Sequence, residues 1–209
     1  MFRGKPIIGI VGGIGSGKSL VAALFGELGC MVVDSDRLIA QAYEREDVRR
    51  TLVGWWGPGI VDSANQINRK AIAEKVFVSQ DELRRLEGLL HPLALQMRDE
   101  QMAGADPATV AFVWDAPLLI EAGLAGQCDA VVFVDVPADM RARRVMESRG
   151  WTMQEWQRRE NNQMPLDNKR KIAKYILRNT AGPDEVRSQV RLVLSRIVAE
   201  VHGRERPKA

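Results

Sequence analysis

Eight residues near the amino terminus have the spacing of a phosphate-binding loop. They read GGIGSGKS, which matches G-x-x-x-x-G-K-[ST], and they follow a short apolar run from Pro6 to Val11. Glycines let the backbone curl closely round phosphates, and a helix that starts there adds N–H groups and its positive dipole end. Lys18 is predicted to reach the β- and γ-phosphate oxygens, and the Ser19 hydroxyl to ligate Mg²⁺. The residues expected to bind Mg-ATP are Gly12, Gly13, Ile14, Gly15, Ser16, Gly17, Lys18 and Ser19.

The apolar run from Pro6 to Val11 is predicted to be a strand, and a second strand is predicted from Met31 to Val33. Two aspartates follow this second strand. The carboxyl end of a strand in an open α/β sheet faces the ligand crevice, and period-two geometry predicts Asp34 and Asp36 on one face. Two carboxylates there could bind Mg²⁺ through water and take the proton from an attacking hydroxyl. We expect Asp36 to be the base and Asp34 to be partly structural or metal-associated. The alternative is that one of them caps a helix starting near Arg37.

The elements that must position these residues alternate between strand and helix. A helix is predicted from Lys18 to Leu28, and the further strands are predicted at Thr109–Trp114, Ala130–Val136 and Ile172–Leu177. This alternation predicts a three-layer α/β fold with a five-stranded parallel sheet.

The chain between the second and third strands is too long for a plain crossover. It is mostly helical, with a break from Gly54 to Gly59, and contains no convincing strand. We expect a helical acceptor-binding lobe at residues 37–105, inserted into a nucleotide-binding core of residues 1–36 and 106–209. A disordered tail is expected from His202 to Ala209.

Composition is that of an ordinary globular protein of 209 residues, with 45% hydrophobic and 27% charged residues. No stretch approaches the ~20 apolar residues that span a bilayer, and the first residues do not resemble a signal peptide, so we expect a cytoplasmic protein without a membrane partner. Cys30 and Cys128 lack metal-binding spacing and are predicted to be buried thiols.

Positive charge is concentrated in one segment. Arg141 to Arg178 contains eleven Lys and Arg but four Asp and Glu, whereas the whole chain carries only +3. Such a segment suits a polyphosphate ligand, and a solvated helix face is the alternative. The small net charge gives little support to nucleic-acid binding. We therefore expect small-molecule substrates, no nucleic acid, and a monomer or weak homo-oligomer.

The run from Ile8 to Asp36 resembles the amino-terminal third of dephospho-CoA kinases. Leu90-His91-Pro92 resembles that family's His-Pro element, and Asp115 to Glu121, which read DAPLLIE, resemble its Pro-Leu-Leu-x-Glu motif. These matches cover most of the chain. The resemblance implies a P-loop kinase fold with a helical lid at about residues 150–172. It also implies transfer of the ATP γ-phosphoryl to the ribose 3′-hydroxyl of dephospho-CoA, the last step of coenzyme A synthesis.

The resemblance further implies roles for residues outside the loop. Asp36 falls on the family's proposed base, and Arg159 on the arginine of a lid pattern Arg-x-x-x-Gln, where it would stabilise charge on the transferring phosphoryl group. The implied nucleotide contacts beyond the loop are Arg144 and Asn179. The implied acceptor contacts are Asp34, Asp36, His91, Pro117, Leu118, Glu121 and Gln163. His91 could equally cap or pack in a helix, and Pro117 and Leu118 could be core.

The sequence departs from the family pattern in three ways: Ser148 replaces an arginine, Asn161 and Asn162 replace a hydrophobic pair, and Lys174 replaces an aspartate. None of these residues lies in the phosphate loop or at Asp36, so they affect the lid assignments and leave the reaction class unchanged. Two rival functions stay open on other grounds. One is another small-metabolite or nucleoside kinase, because P-loop folds host many acceptors. The other is a nucleotide-switch protein, which is disfavoured because Lys171 stands where a G-protein base motif needs aspartate.

Trp151 and Trp156 flank the lid and are expected to be exposed.

Overall fold

A five-stranded, fully parallel sheet is the centre of the fold in the computed structural model, which describes residues 1–204, the Arg204 side chain apart. The strands are β1 (Ile7–Gly12), β2 (Met31–Asp34), β3 (Phe112–Asp115), β4 (Ala130–Asp135) and β5 (Tyr175–Arg178). Their order is β2-β3-β1-β4-β5, so β1 is the middle strand. Each predicted strand is confirmed, with bounds that move by a few residues.

Helices connect the strands. In chain order they are α1 (Lys18–Glu27), α2 (Ser35–Glu44), α3 (Glu46–Trp56), α4 (Arg69–Phe77), α5 (Gln80–Ala103), α6 (Ala138–Arg149), α7 (Met153–Asn161), α8 (Leu166–Ile172) and α9 (Pro183–Arg204), with short 3₁₀ helices at Pro58–Ile60 and Leu124–Gln127. None of the helices within residues 1–204 has the length and apolar character to cross a membrane. Because α9 continues to Arg204, the predicted disorder is wrong for 202–204, and residues 205–209 lie outside the described chain.

The chain divides into two compact units, Met1–Asp34 with Ala105–Ala209, and Ser35–Gly104. In the first unit, alternate residues of the strands pack against α1 and α9. Ile8 and Ile10 of β1 are fully buried there beside Phe25 of α1 and Val190 of α9. Alternation with period two is what allows a strand to bury one set of side chains on each face of the sheet. The central strand that precedes the loop is thereby held rigidly.

The second unit consists of α2 to α5 and one 3₁₀ turn. Its own core includes Leu52, Ile60 and Leu86, and Trp55 and Trp56 pack partly buried against it. The helical content expected for this segment is confirmed. The predicted break at Gly54–Gly59 starts too early, because α3 continues through Gly54 to Trp56 and ends at Gly57, whose φ of +79° favours glycine.

The two cysteines differ in burial. Cys30 is buried, and desolvation raises the pKa of its thiol to about 12, so the thiol is inert at neutral pH. Cys128 is only partly buried, which corrects the prediction that both are buried.

Candidate active site

The glycine-rich loop joins β1 to α1 at the centre of the sheet. Gly17 has φ +83°, a left-handed conformation, immediately before the first residue of α1. At Gly12 a Cβ atom would lie 2.8 Å from Ser16 Oγ and 2.9 Å from the Val134 carbonyl oxygen, so no side chain fits. Glycines at these two positions therefore let the loop pack against β4 and turn into the helix.

Lys18 lies inside this loop. Its ammonium donates hydrogen bonds to the carbonyl oxygens of Gly12 (3.0 Å) and Gly13 (3.1 Å). Desolvation lowers the pKa of Lys18 to about 8, and the negative charge of Asp115 partly opposes this effect. A lysine that loses hydration in this way gains from an anionic ligand. The arrangement fits a nucleotide phosphate.

The backbone N–H groups of the loop divide into two sets. The N–H of Ser16 donates to the Gly13 carbonyl oxygen at 3.1 Å, so this N–H is bound within the loop, and the Ser16 side chain is fully buried. Lys18 and Ser19 open α1, where N–H groups have no intrahelical acceptor. The Ser19 residue is exposed, as a metal-ligating hydroxyl must be. These helix-start groups are suited to bind phosphate.

The aspartates after β2 occupy different elements. Asp34 ends β2, but α2 begins at Ser35, so Asp36 lies in the first helical turn and both residues are exposed. The period-two argument that placed them on one face is therefore wrong, because strand alternation stops at Asp34. The helix also starts two residues before the predicted Arg37. Roles for Asp34 and Asp36 stay predictions.

Asp115 is a candidate that the sequence argument quoted only as part of a motif. It ends β3, is paired in parallel register with Asp34 of β2 and Ile10 of β1, and lies close enough to Lys18 to raise the pKa of that lysine. Within residues 1–204 no group of three or more His, Cys, Asp or Glu is arranged to hold a metal ion. The oxygen atoms of Ser19 and Asp115 suit Mg²⁺, which commonly takes its other ligands from phosphates and water.

Glu121 and Gln163, predicted separately, are brought together by a buried lysine. The Lys169 ammonium lies 2.9 Å from Glu121 Oε1 and 3.2 Å from Gln163 Oε1, and the Met164 N–H donates to Glu121 Oε1 at 3.0 Å. Desolvation alone would raise the pKa of Glu121, but the hydrogen bonds from Lys169 and Met164 outweigh it and the pKa falls below its usual value. Glu121 is therefore ionised near neutral pH.

Asn179 binds the phosphate loop directly, and Arg144 binds Asn179. Asn179 is buried, its side-chain amide donates to the Ser16 carbonyl oxygen at 2.8 Å, and Arg144 donates to the Asn179 carbonyl oxygen at 2.9 Å. These bonds link α6 and the end of β5 to the loop. Direct contact of either residue with a nucleotide stays a prediction.

The predicted lid contains α7 and α8. Arg159 is on the exposed side of α7, where it pairs with Glu155 (3.0 Å) and lies 4.3 Å from the ring centroid of Trp151. Trp156 is 6% exposed and donates to the Ile14 carbonyl oxygen, so the expectation of an exposed aromatic there is wrong. The Trp156 ring can be buried against the loop because its indole N–H has a hydrogen-bond acceptor there.

The remaining predicted residues are accessible. Pro117 is half-buried and Leu118 is 50% exposed in the segment after β3, whereas Leu119 is core, so the core alternative fails for Leu118. In the second unit, His91 is exposed in the interior of α5, which excludes the capping and packing alternatives. Contact of these residues with an acceptor stays a prediction.

The comparison with protein families agrees with the geometry of the loop. The dephospho-CoA kinase profile matches residues 6–185. The chain belongs to the dephospho-CoA kinase family. A dephospho-CoA kinase of Geobacillus kaustophilus is 38% identical over 190 residues, which cover 90% of this chain and 94% of that protein. A dephospho-CoA kinase of Aquifex aeolicus is 34% identical over 194 residues, which cover 92% of this chain and 98% of that protein.

Solved structures place the dephospho-CoA kinase family fold in a wider group. A crystal structure of a Thermus thermophilus protein, 35% identical, has a TM-score of 0.81 and covers 92% of this chain and 97% of its own. Shikimate kinase from Acinetobacter baumannii is 16% identical, with a TM-score of 0.54 over 95% of this chain and 96% of its own. The second likeness concerns the fold alone. The predicted P-loop kinase fold is confirmed.

Proposed function

We propose that this chain transfers the γ-phosphoryl group of ATP to the ribose 3′-hydroxyl of dephospho-CoA, which gives CoA and ADP in the last step of coenzyme A synthesis. The observation that carries the proposal is the loop with its part-buried Lys18, in a chain whose family match spans residues 6–185. We place the reaction in the cytoplasm and expect a monomer or weak homo-oligomer.

In this proposal the loop and α1 hold the donor. The ammonium of Lys18 exchanges the Gly12 and Gly13 carbonyls for β- and γ-phosphate oxygens, and the N–H groups at the start of α1 bind the same phosphates. Ser19 and Asp115 would hold Mg²⁺, which when bound neutralises charge on the phosphates. Arg144 and Asn179 keep the loop in place and border the nucleotide.

The acceptor oxygen attacks the γ-phosphorus, the bond from that phosphorus to the β,γ-bridging oxygen breaks, and ADP leaves. Asp36, exposed in the first turn of α2, takes the hydroxyl proton, and Asp34 at the end of β2 has a structural or metal-associated role. Arg159 moves from Glu155 to the transferring group, whose negative charge it stabilises. No covalent enzyme intermediate is required.

The helical unit and the lid would position the acceptor. We assign residues 37–105 to acceptor binding, with His91 among the contacts, and residues 150–172 to the lid. The Glu121–Lys169–Gln163 group and the exposed segment at Pro117 and Leu118 would form the acceptor side of the nucleotide unit. Polar groups fixed in this way orient a substrate before reaction.

The test is a coupled assay of ADP formation with ATP, Mg²⁺ and dephospho-CoA on the wild type and on Asp36→Asn. We expect at least a ~10²-fold loss of kcat, the scale for a lost general base, with the Kd for ATP unchanged. Glu44→Gln, which removes an exposed carboxylate at the other end of α2, is the control and should keep full activity.

Nucleosides and shikimate-like alcohols serve as rival acceptors in the same assay. Turnover of one of these without turnover of dephospho-CoA would reassign the substrate. ATP binding without transfer to any acceptor would favour a nucleotide-switch protein instead. Full activity in Asp36→Asn would remove this residue from the mechanism and leave the substrate assignment intact.

A further inference from the structure

Side chains from α6 and α7 bind both backbone polar groups of Ile14 in the phosphate loop. Its N–H donates to Glu160 Oε2 at 3.0 Å. Its carbonyl oxygen accepts from Arg141 Nη1 and from Trp156 Nε1, both at 3.3 Å. Loop carbonyl and amide groups are commonly satisfied by water or by ligand, so three side chains on one loop residue need a physical reason.

The same side chains bind one another. Arg141 Nη1 donates to Glu160 Oε1, Arg141 Nε donates to the Val136 carbonyl oxygen at 3.1 Å, and the guanidinium lies 5.2 Å from the centroid of the Trp156 ring. The Arg141 side chain is 5% exposed and that of Glu160 16% exposed. Buried charges need paired, hydrogen-bonded partners, and each charge here has both. The group is therefore a rigid clamp, which we call the Ile14 clamp: Arg141, Trp156 and Glu160.

The clamp restricts which loop groups can meet a phosphate. The Ile14 N–H is bound to a carboxylate and the Ser16 N–H to the Gly13 carbonyl oxygen, whereas the N–H groups at the start of α1 have no intrahelical acceptor and can bind phosphate. Arg141 balances the charge of Glu160, which would otherwise repel an incoming anion. The clamp thus determines the loop's shape without itself needing to touch the nucleotide.

We propose that Glu160 and Arg141, with Trp156, are positioning residues that hold the phosphate loop in the conformation that binds ATP. The inference rests on the proposed function for the identity of the nucleotide. It makes α7, a helix of the predicted lid, a structural part of the nucleotide site. If the clamp acts on the loop, its loss should weaken ATP binding and leave the KM for the acceptor unchanged. If its contacts only stabilise the fold, their loss should change the affinities for both substrates or for neither.

The experiment measures Mg-ATP binding by calorimetry, KM values for both substrates, and the unliganded melting temperature. Glu160→Ala, which removes the acceptor of the Ile14 N–H, should raise the Kd for ATP about ten- to a hundredfold, the scale for a hydrogen bond to a charged group. Glu160→Gln and Trp156→Phe, which keep shape and part of the bonding, should raise it severalfold. The KM for dephospho-CoA should stay within about twofold.

Controls separate the outcomes. Glu147→Gln removes an exposed carboxylate of α6 and should leave ATP binding unchanged. Should Glu160→Ala fail to fold, Glu160→Gln and Trp156→Phe carry the test. Equal ATP affinity in these variants and the wild type, or an equal rise in both KM values, would overturn the clamp. Because ATP binding needs no acceptor, a wild type that binds ATP but ignores dephospho-CoA refutes only the substrate assignment. A wild type that binds no Mg-ATP refutes both.

Discussion

The Lys169 ammonium of α8 lies 2.9 Å from Glu121 Oε1, although the lysine side chain is only 1% exposed. An almost fully buried ammonium is costly unless it is paired. Here it binds a carboxylate and the Gln163 amide oxygen together, so it fixes the loop after β3 to the segment between α7 and α8.

Replacing Lys169 by methionine should therefore lower the free energy of unfolding by about 3 kcal/mol, the low end for a broken buried pair, because the Glu121 carboxylate can still reach water. Urea unfolding measures this. Lys171→Met on the exposed side of the same helix is the control and should cost about 0.5 kcal/mol or less. A loss no larger than that of the control would show that the pair contributes nothing net.

Lys18 should make ATP binding depend on pH. Its pKa is about 8 without ligand, and phosphate favours the charged form, so the complex must have a higher pKa. Affinity for ATP should be constant below pH 8 and fall up to tenfold per pH unit above it, with proton uptake on binding. Calorimetry at pH 8.5 in buffers of different ionisation enthalpy measures the uptake. Lys18→Arg, always charged, should show neither effect; an equal decline in that variant would assign the pH dependence to another group.

The same lysine affects stability with the opposite slope. A lowered pKa means that the unfolded chain binds more protons between pH 8 and about 10.5. The free energy of unfolding therefore gains a contribution that rises with pH across this window, since the cost of burying a charge disappears as Lys18 deprotonates. ATP, which restores the charge, should oppose that gain.

Local sequence predicted the parts of the site that local chemistry determines. The loop, all five strands and the break near Gly57 depend on glycine conformation and on short apolar runs, which are visible in the sequence. The boundary at Ser35 was missed because aspartate and serine suit both a strand end and a helix start. Asp36 consequently changed from a strand position to a helical one.

The contacts of Glu160 and Lys169 could not be predicted in the same way. Each meets partners far away in sequence, at Ile14 and Glu121, and neither belongs to a spaced motif. Sequence alone gives a charge in the basic segment, and only the packing of α7 and α8 determines whether that charge is solvated or buried. The prediction that Trp156 is exposed was wrong for the same reason: its burial depends on the packing of α7.

Arg159 should be the arginine of the lid that acts on the phosphoryl group. Arg159→Ala is expected to lower kcat by ~10³-fold or more with little change in the Kd for ATP, the scale for an arginine that stabilises phosphoryl-transfer charge. Arg158→Ala, the adjacent exposed arginine, is the matched control and should stay within about twofold of the wild type. A larger loss in Arg158→Ala than in Arg159→Ala would exchange the two assignments.

Ser19 and Asp115 should both contribute to the magnesium requirement. Ser19→Ala removes an oxygen ligand and Asp115→Asn removes the negative charge of one, so each should raise the Mg²⁺ concentration for half-maximal activity by about tenfold, or ~1.4 kcal/mol. Ser195→Ala on α9, whose hydroxyl donates to the Arg191 carbonyl oxygen of its own helix, should change nothing. Activity measured against Mg²⁺ at fixed ATP tests all three.

A pH series separates the two variants. The negative charge of Asp115 raises the pKa of Lys18 against the effect of burial, so its removal should bring that pKa below 8 and make ATP affinity decline from a lower pH. Ser19→Ala leaves the charges round Lys18 unchanged and should keep the wild-type pH dependence. If Asp115→Asn raises the magnesium requirement with no shift in the pH profile, the carboxylate binds the metal but does not act on Lys18. If Asp115→Asn shifts the pH profile without raising the magnesium requirement, Asp115 is not a ligand of Mg²⁺.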